Sequence, residues 1–248
     1  MRIVSWNCNM NWNSKNRDKY MTAIDKLQPD IAVLQEVSSP ANSSPSEVWI
    51  GLNEIKRVGL PNDSRGVLLI VNKNYKIKCE GYSQDTVFGV PVTVASKAFN
   101  FQVLGVWNYP FGQTVADKDY MKTIEEIFNI YAEFIKRKPT IVVGDFNLTG
   151  RASREIELFK RLQEEFKLKS CYHSFNNIPF GAECKPHSYY RYKNNQQGST
   201  IDYCWIPEHW DITDFRVGAF DDYVKKASPE LPSLSDHCPL IIDIKITK

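Results

Sequence analysis

The sequence predicts an α/β domain in which helices cover mixed β-sheets. Short apolar runs with strand character alternate with amphipathic helical segments, but without the regular rhythm of a purely parallel sheet. Closely spaced strand runs between Gly66 and Val106 indicate an antiparallel meander. No internal repeat or low-complexity linker divides the 248 residues, so we expect a single domain spanning residues 1–248.

The first quarter of the chain reads as strand, helix, strand. Arg2 to Trp6 is a short β-branched run, and Arg17 to Leu27 carries apolar residues at helical spacing. Pro29-Asp30 ends that helix. A buried strand is predicted at Ile31 to Leu34, and residues 38–46 are rich in Ser, Pro and Asn and therefore predict a loop.

The remaining elements follow the same two periodicities. Further strands are predicted at 67–71, 75–79, 87–94, 101–106, 141–143, 188–192, 200–206 and 239–246. One long amphipathic helix is predicted at about residues 115–137, ending before Pro139, and a second at 152–166. The strands are numerous enough to build mixed sheets that the helices cover.

Composition narrows the function class. The chain has 31 Lys plus Arg and 29 Asp plus Glu, a net charge of +2, so any field that attracts a polyanion must be local. No stretch is long and apolar enough for a membrane span, and the start has no apolar leader. Six scattered cysteines without metal-binding spacing indicate reduced thiols. We expect a cytoplasmic monomer that acts without a membrane.

Polar clusters stand directly after apolar strand runs, where strand ends can gather side chains into one crevice. They are Trp6-Asn7-Cys8-Asn9, Leu34-Gln35-Glu36-Val37, Gly144-Asp145-Phe146-Asn147-Leu148 and Ser235-Asp236-His237-Cys238-Pro239. A fifth cluster, Ser199-Thr200-Ile201-Asp202-Tyr203, places an acid inside a strand. Taken singly, each has an ordinary explanation, such as a helix N-cap at Asp145, a solvated strand end at Glu36 or a turn at Asp236-His237.

Taken in order, the five clusters resemble one family. The succession WNxN, LQEV, GDFN, an Ile-Asp-Tyr strand and a late SDHCPL is similar to the endonuclease/exonuclease/phosphatase superfamily, which includes exonuclease III-type AP endonucleases and DNase I. The resemblance spans Ile3 to Ile244. It implies a DNase I-like fold, an α/β four-layer sandwich of two packed mixed β-sheets flanked by helices.

The resemblance also implies metal-dependent cleavage of a phosphodiester. Glu36 would be the principal ligand of Mg²⁺ or Mn²⁺, and Asn9 and Asp236 would complete the shell directly or through water. Asn7 would support the metal site and the phosphate. These are hard oxygen donors, which suit Mg²⁺ or Mn²⁺ better than zinc.

The catalytic assignments rest on the same resemblance. Asp145 matches the aspartate that activates water, and Asn147 would hydrogen-bond the phosphate or fix that aspartate. His237 would contact the phosphate, and Asp202 would hold its imidazole in one tautomer and favour its charged form. A partner for Asp202 would also explain an acid in an otherwise apolar strand, since a buried unpaired charge is costly.

The chain departs from its relatives at one catalytic position. Many members carry a His or Tyr after the strand that matches residues 101–106, and this chain reads Val106-Trp107-Asn108-Tyr109-Pro110. Tyr109 fits if the register shifts by two residues. Trp107, whose indole can donate one hydrogen bond to a substrate, and Asn108 remain alternatives, as does a structural role for all three.

Substrate specificity is the least defined feature. Arg191 and Lys193 alternate with tyrosines in Tyr189 to Lys193, a pattern typical of surfaces that stack bases and contact phosphates, or of a half-buried strand edge. Gly198-Ser199-Thr200 differs from the Gly-Trp-Arg of AP endonucleases. His187 could line the cleft, whereas His173 and His209 belong to no motif.

We therefore expect a Mg²⁺- or Mn²⁺-dependent phosphodiesterase, an endo- or exonuclease that acts on DNA. The alternatives are a nucleic-acid-binding member without turnover, and a phosphatase or lipid phosphodiesterase with the same catalytic residues.

Overall fold

The computed structural model describes residues 1–9, 16–38, 45–51, 65–83, 89–110, 119–225 and 233–247. Within these ranges there are fourteen strands: β1 Arg2–Asn7, β2 Ile31–Ser38, β3 Glu47–Gly51, β4 Arg65–Val71, β5 Lys76–Cys79, β6 Gly89–Ala95, β7 Asn100–Trp107, β8 Thr140–Asp145, β9 Leu168–Ser170, β10 Tyr189–Tyr190, β11 Gly198–Ser199, β12 Asp202–Pro207, β13 Asp211–Val217 and β14 Leu240–Lys245. The same ranges contain six α-helices: α1 Arg17–Leu27, α2 Tyr120–Ile130, α3 Ala132–Arg137, α4 Ser153–Glu164, α5 Cys171–Asn176 and α6 Phe220–Tyr223.

Two six-stranded sheets with the same arrangement of parallel and antiparallel pairs form the centre of the molecule. The first has the order β13-β14-β1-β2-β4-β3, and the second has the order β5-β6-β7-β8-β12-β9. In each sheet one central pair is parallel, β1 with β2 and β7 with β8, and the other pairs are antiparallel. Side chains at the carboxyl ends of these two parallel pairs can therefore lie close together where the two sheets pack against each other.

The sheets pack face to face through a core that draws on both of them. Val33 and Leu69 of the first sheet lie in one apolar cluster with Val103 and Val143 of the second. The outer face of the second sheet is covered by α2, α3 and α4, and the outer face of the first by α1. The expected four-layer sandwich of two mixed sheets flanked by helices is confirmed.

The long helix predicted at 115–137 is interrupted. Residues 111–118 lie outside the described part, and α2 and α3 meet at Tyr131, whose φ of −97° and ψ of 11° are not helical. The Tyr131 ring fills the space where Gly89 lacks a side chain, since a Cβ there would lie 2.5 Å from Tyr131 Cε2. Its hydroxyl accepts a hydrogen bond from Ser83 N at 3.1 Å. These contacts with the sheet explain an irregularity that periodicity does not reveal.

Other predictions hold in part. α1 and α4 are confirmed, while the strand predicted at 188–192 is limited to β10, because Arg191–Lys193 form a 3-10 turn with Tyr192 at φ +53°. The meander prediction is wrong for β4, which pairs with β2 and β3 in the other sheet. Parts of two further predictions, the loop residues 39–44 and the strand residues 87–88, lie outside the described ranges.

All six cysteines are in the described part of the chain and none is in a disulfide, as expected from their spacing. Among the described helices, none has the length and apolar character needed to cross a membrane.

Candidate active site

One edge of the sandwich collects the predicted polar residues. Asn7 ends β1, Glu36 lies near the end of β2, and Asp145 ends β8. Asp202 begins β12, which runs antiparallel to β8 and pairs residue 202 with 145. His237 precedes β14, which is antiparallel to β1. Alternating strand direction thus brings carboxyl ends and amino ends to the same edge.

Asp145 is buried and held by amide groups. Its Oδ2 accepts hydrogen bonds from Asn7 Nδ2 at 2.9 Å and Asn147 Nδ2 at 3.0 Å, and its Oδ1 accepts from the Asn147 backbone N at 2.8 Å. Asn147 adopts φ +50°, which turns the chain back so that both its amides reach the carboxylate. Burial raises the pKa of Asp145 well above its usual range, and the charge of Asp202 adds to the rise, against the effects of His237 and the amide bonds.

Glu36 is aimed at the same centre by a distortion of β2. The register with β4 shifts between Leu34 and Val37, and Glu36 has a left-handed φ of +57°. Its Oε1 accepts a hydrogen bond from Asn7 Nδ2 at 3.1 Å, so one amide joins Glu36 to Asp145. Burial raises the pKa of Glu36, and the nearby charge of Asp236 adds to this, while the Asn7 bond and the charge of His237 lower it.

His237 and Asp202 form the predicted pair. His237 Nδ1 lies 2.9 Å from Asp202 Oδ2, and both side chains are buried. Burial by itself lowers the pKa of His237, but the charge and hydrogen bond of Asp202, together with Asp145 and Asp236, outweigh it and raise the pKa to about 10. The raised pKa favours the charged imidazolium, and the geometry joins Nδ1 to Asp202, so Nε2 is the ring nitrogen that is not in this pair.

Two serines that the sequence did not single out secure this pair. Ser235 Oγ donates to Asn7 O at 2.6 Å and accepts from His237 N at 3.0 Å, which links the first and last site loops. Ser188 Oγ accepts from the backbone N of Ile201 and of Asp202, both at 3.1 Å. Ser235 stands next to Asp236-His237 in the sequence, and that adjacency is the signal that could have identified it.

The residue types and spacing fit a hard divalent cation. One ligand atom each from Asp145, Asp202 and His237 lie within 4.8 Å of one another, a buried acidic cluster that could bind a metal. Asp202 Oδ1 is buried and has no hydrogen-bond partner among the described residues. Glu36 and Asp236 are close enough for their charges to interact, and the Asn9 backbone N is tied to Asn7 Oδ1 at 2.8 Å with Asn9 at φ +46°.

The three alternatives after β7 have different environments. Trp107 is only 1% exposed and its ring stacks on Tyr109 at 5.3 Å, so the expectation that Trp107 contacts substrate does not fit its burial. Asn108 is fully buried, and its carbonyl accepts from Asn147 Nδ2 at 2.9 Å. Tyr109 is half-buried. Of the three, Tyr109 has the surface needed to meet a substrate.

Arg191 and Lys193 are not in the catalytic cluster. Both are exposed on the turn that follows β10, and Arg191 lies over the Tyr192 ring at 4.9 Å. Within β10, Tyr189 bridges to His237 and their rings lie 4.9 Å apart, so the turn begins next to the site.

The remaining histidines lie apart from the cluster. His187 is buried and faces Thr200 Oγ1 at 3.4 Å, and burial lowers its pKa. His173 is buried between Ser170 and Glu183, with both ring nitrogens 2.8 Å from a partner. His209 is exposed.

Comparison with solved structures identifies the fold. The 3′-5′ exonuclease NExo from Neisseria meningitidis has a TM-score of 0.67 at 17% identity, covering 99% of this chain and 100% of its own. An AP endonuclease from Archaeoglobus fulgidus has 0.66 at 13%, covering 99% and 100%, and the human Nocturnin catalytic domain has 0.61 at 17%, covering 100% and 93%. These neighbours share the DNase I-like sandwich.

No curated protein matches the sequence significantly. The model of the endonuclease/exonuclease/phosphatase family, however, matches residues 4–237, which is nearly the whole chain and includes every residue of the site described above. The chain therefore belongs to the endonuclease/exonuclease/phosphatase family.

Proposed function

We propose that this protein is a Mg²⁺- or Mn²⁺-dependent phosphodiester hydrolase, a nuclease that acts on DNA. One observation carries the proposal. A buried carboxylate, Asp145, is oriented by three amide hydrogen bonds and lies within 4.8 Å of a charged His237–Asp202 pair. This geometry supports a base for water and a cationic donor for a phosphate at one point.

Asp145 is assigned as the group that takes the proton from the attacking water. The amides of Asn7 and Asn147 fix its orientation, so that its carboxylate oxygens are held in one position to accept a proton. His237 donates from Nε2 to a phosphate oxygen, since Nδ1 is bonded to Asp202. Tyr109, half-buried after β7, is assigned to contact the same phosphate.

Glu36, Asp236 and Asn9 would hold the metal ion, and Asn7 supports both sides of the site through its bonds to Glu36 and Asp145. When bound there, a Mg²⁺ or Mn²⁺ ion would neutralise charge that develops on the phosphate oxygens. Oxygen donors without thiolates favour these ions.

A nucleic-acid substrate is supported by two observations. A neighbour of the same fold, the 3′ phosphatase NExo from Neisseria, was solved with a product DNA hairpin. In this chain, Arg191 and Lys193 present cations on a turn that begins beside His237. The Arg191 and Lys193 side chains would contact phosphates of the substrate other than the one that is cleaved.

The test is a substrate panel with and without metal. Single-stranded DNA, duplex DNA, abasic duplex, a 3′-phosphorylated oligonucleotide, RNA and phosphoinositides are incubated with Mg²⁺ or Mn²⁺ and with excess chelator. We expect DNA cleavage that chelator abolishes and either ion restores. Activity in excess chelator would contradict metal dependence, and preference for a phosphoinositide over every nucleic acid would contradict the substrate assignment.

The first mutational prediction concerns the metal ligand. Glu36→Gln keeps the shape but removes the charge, so kcat should fall by at least about a hundredfold and the Mg²⁺ concentration needed for half activity should rise. Glu157→Gln, an exposed change on α4, is the matched control. A Glu36→Gln enzyme with parental metal dependence would remove Glu36 from the ligand set.

A further inference from the structure

A basic cleft adjoins the active site and has no part in the catalytic assignments above. Its volume is about 810 Å³, within the range of about 300 to 1,000 Å³ typical of ligand sites. It opens between the first turn of α1, the turn after β10, and α6 with the chain that follows it. Its walls are formed by Asn16, Lys19, Tyr20, Lys193, Asn194, Asn195, Phe220, Val224, Lys225, Ser233 and Leu234.

The cleft shares its walls with both catalytic loops. The Tyr20 hydroxyl donates to the carbonyl of Cys8, which follows Asn7, at 3.0 Å and also to the carbonyl of Leu234. On the other side, the Phe220 ring packs on Tyr190 at 4.7 Å, and Tyr190 N donates to Asp236 O at 2.8 Å. The cleft and the catalytic loops are therefore joined through Cys8, Leu234 and Tyr190.

The charge of the cleft suits a polyanion. Lys19, Lys193 and Lys225 come from three separate elements, and none of the described wall residues is acidic. Asp221, an exposed residue of α6, pairs with Lys225 at 3.3 Å. The three lysines therefore leave a net positive field in a concave surface, which attracts phosphate groups.

An aromatic surface stands at the mouth of the cleft. Tyr192, between Arg191 and Lys193, is 78% exposed, and the Arg191 guanidinium lies over its ring at 4.9 Å and donates to its hydroxyl at 3.2 Å. The left-handed backbone at Tyr192 and Lys193 directs these side chains out of the turn. An exposed ring beside a basic groove is the combination that binds unpaired bases, because stacking requires an open base face.

We propose that this cleft binds an unpaired segment of a nucleic-acid strand beyond the scissile phosphate. Lys19, Lys193 and Lys225 contact the phosphates, and Tyr192 stacks on a base. The inference rests on the proposed nuclease function and extends it by naming the substrate class, a nucleic acid with a single-stranded portion.

The molecule supplies its own control. A second cavity of about 740 Å³, which also contains three lysines, Lys73, Lys76 and Lys97, lies at the start of β5 and the turn between β6 and β7. This is the end of the second sheet opposite the site, because β7 begins at Asn100 and reaches the catalytic edge only at Trp107. Replacing two lysines of this second cavity changes the net charge by the same amount as replacing two lysines of the cleft, and it leaves the cleft intact.

Binding of a labelled 12-nucleotide single strand and of a blunt duplex is measured by fluorescence anisotropy in the Asp145→Asn background, across a salt series. We expect the single strand to bind more tightly than the duplex. Lys19→Ala/Lys225→Ala should weaken single-strand binding at least about tenfold and lower the salt slope by about 0.7 for each lysine that no longer neutralises a phosphate. Tyr192→Ala should weaken it at least about fivefold, and Lys76→Ala/Lys97→Ala by less than about twofold.

Cleavage assays on the enzyme with Asp145 intact separate the two proposals. For each enzyme, kcat/KM for a 12-nucleotide strand is divided by kcat/KM for a dinucleotide. This ratio should be about tenfold lower in the Lys19→Ala/Lys225→Ala variant, the cleft variant, than in the parent. If the parent cleaves DNA but the cleft and control variants bind alike, or if the duplex binds more tightly, the cleft assignment is wrong and the nuclease function stands. If soluble inositol phosphates displace the strand at lower concentration than DNA does, the cleft takes a different phosphate ligand and the assignment is overturned. If the parent neither binds nor cleaves nucleic acid, both proposals fail.

Discussion

At the scale of single residues, the site depends on Asp145 being both buried and fully oriented. Asp145→Asn keeps the shape of the side chain but removes the basic oxygen. We expect kcat to fall by at least about a hundredfold while substrate affinity stays within a few-fold of the parent, because the positioning groups remain. Single-turnover kinetics and equilibrium binding measure the two effects separately. A variant that loses affinity but keeps turnover would make Asp145 a positioning residue.

The His237–Asp202 pair predicts a specific pH profile. Because the pKa of His237 is raised above its ordinary value, its imidazolium persists on the alkaline side, and a reaction that needs this cation loses rate only as pH rises through the raised pKa. Asp202→Asn keeps a hydrogen-bond acceptor but removes the charge, so the alkaline limb of kcat/KM should move at least about one pH unit lower. An unmoved limb would give the pair a structural role only.

The charged residues and the side chains that contact them, such as Asn147 and Asp202, were predictable from the sequence, and the hydroxyls that hold the backbone around them were not. Glu36, Asp145 and His237 follow apolar runs in motifs that mark strand ends. Ser188 acts through hydroxyl bonds to backbone groups 13 and 14 residues away, and no local pattern encodes such partners, whereas Ser235 stands beside Asp236-His237 and also bonds Asn7 across the chain. The sequence left the role of Trp107 open because an aromatic at a strand end has the same local pattern whether it faces solvent or the core, and the ring is buried.

At the scale of elements, the end of β8 requires a glycine. Gly144 has φ +150°, and a Cβ there would lie 1.8 Å from the carbonyl oxygen of Val106 on the neighbouring β7. This close approach lets Asn108 N donate to Asp145 O at 2.8 Å, which locks the two strand ends together. Asp145 is thus positioned by strand pairing as well as by the hydrogen bonds of its own side chain.

Ser188, which precedes β10, contacts the start of β12 and gives a prediction at the scale of elements. Ser188→Ala removes the acceptor for two buried backbone N–H groups at the start of β12. We expect a loss of about 1 to 3 kcal/mol in the free energy of unfolding, measured by urea denaturation, and a drop in kcat as Asp202 is released. Ser174→Ala, on the exposed face of α5, is the control. Equal stability of the two variants would show that other groups satisfy these amides.

Element boundaries were the weakest predictions for a definable reason. The strand predicted at 188–192 stops at Tyr190 because the chain turns left-handed at Tyr192 and Lys193, and the predicted long helix is interrupted where Tyr131 packs against Gly89. The interruption of the helix depends on a neighbour distant in sequence, Gly89, whereas the turn is held by local backbone bonds such as that from Arg191 N to Gln197 O. The existence of α1, α4 and the central strands was predictable because their apolar periodicity is strong.

At the scale of the whole molecule, acid stability should depend on a buried pair remote from the catalytic cluster. Burial raises the pKa of Glu183, but the hydrogen bond from His173 at 2.8 Å and the charge of that ring outweigh it, so the pKa is lowered. A lowered carboxyl pKa adds stability above the unfolded value of about 4.3, and this contribution is lost as pH falls through the folded value.

We therefore expect the free energy of unfolding to decrease between pH 6 and pH 3, and Glu183→Gln to reduce that decrease while lowering stability at pH 7. Denaturant titrations at several pH values measure both effects. Glu157→Gln, which changes the same charge on the exposed face of α4, should keep the parental pH dependence. A Glu183→Gln protein with the parental slope would assign the acid sensitivity to other carboxylates.

The bond between Ser235 Oγ and Asn7 O joins residues 228 positions apart in the chain. In the first sheet β14 lies between β13 and β1. Because β14 is the last strand of the sheet in chain order, β13 is not joined to β1 until β14 has formed. During synthesis, a chain that ends before β14 therefore already carries Asp236 and His237 but has no closed first sheet. We expect such a growing polypeptide to be inert, because β14 pairs with β1 and the segment that bears Asp236 and His237 is not held against Asn7 until that pairing forms.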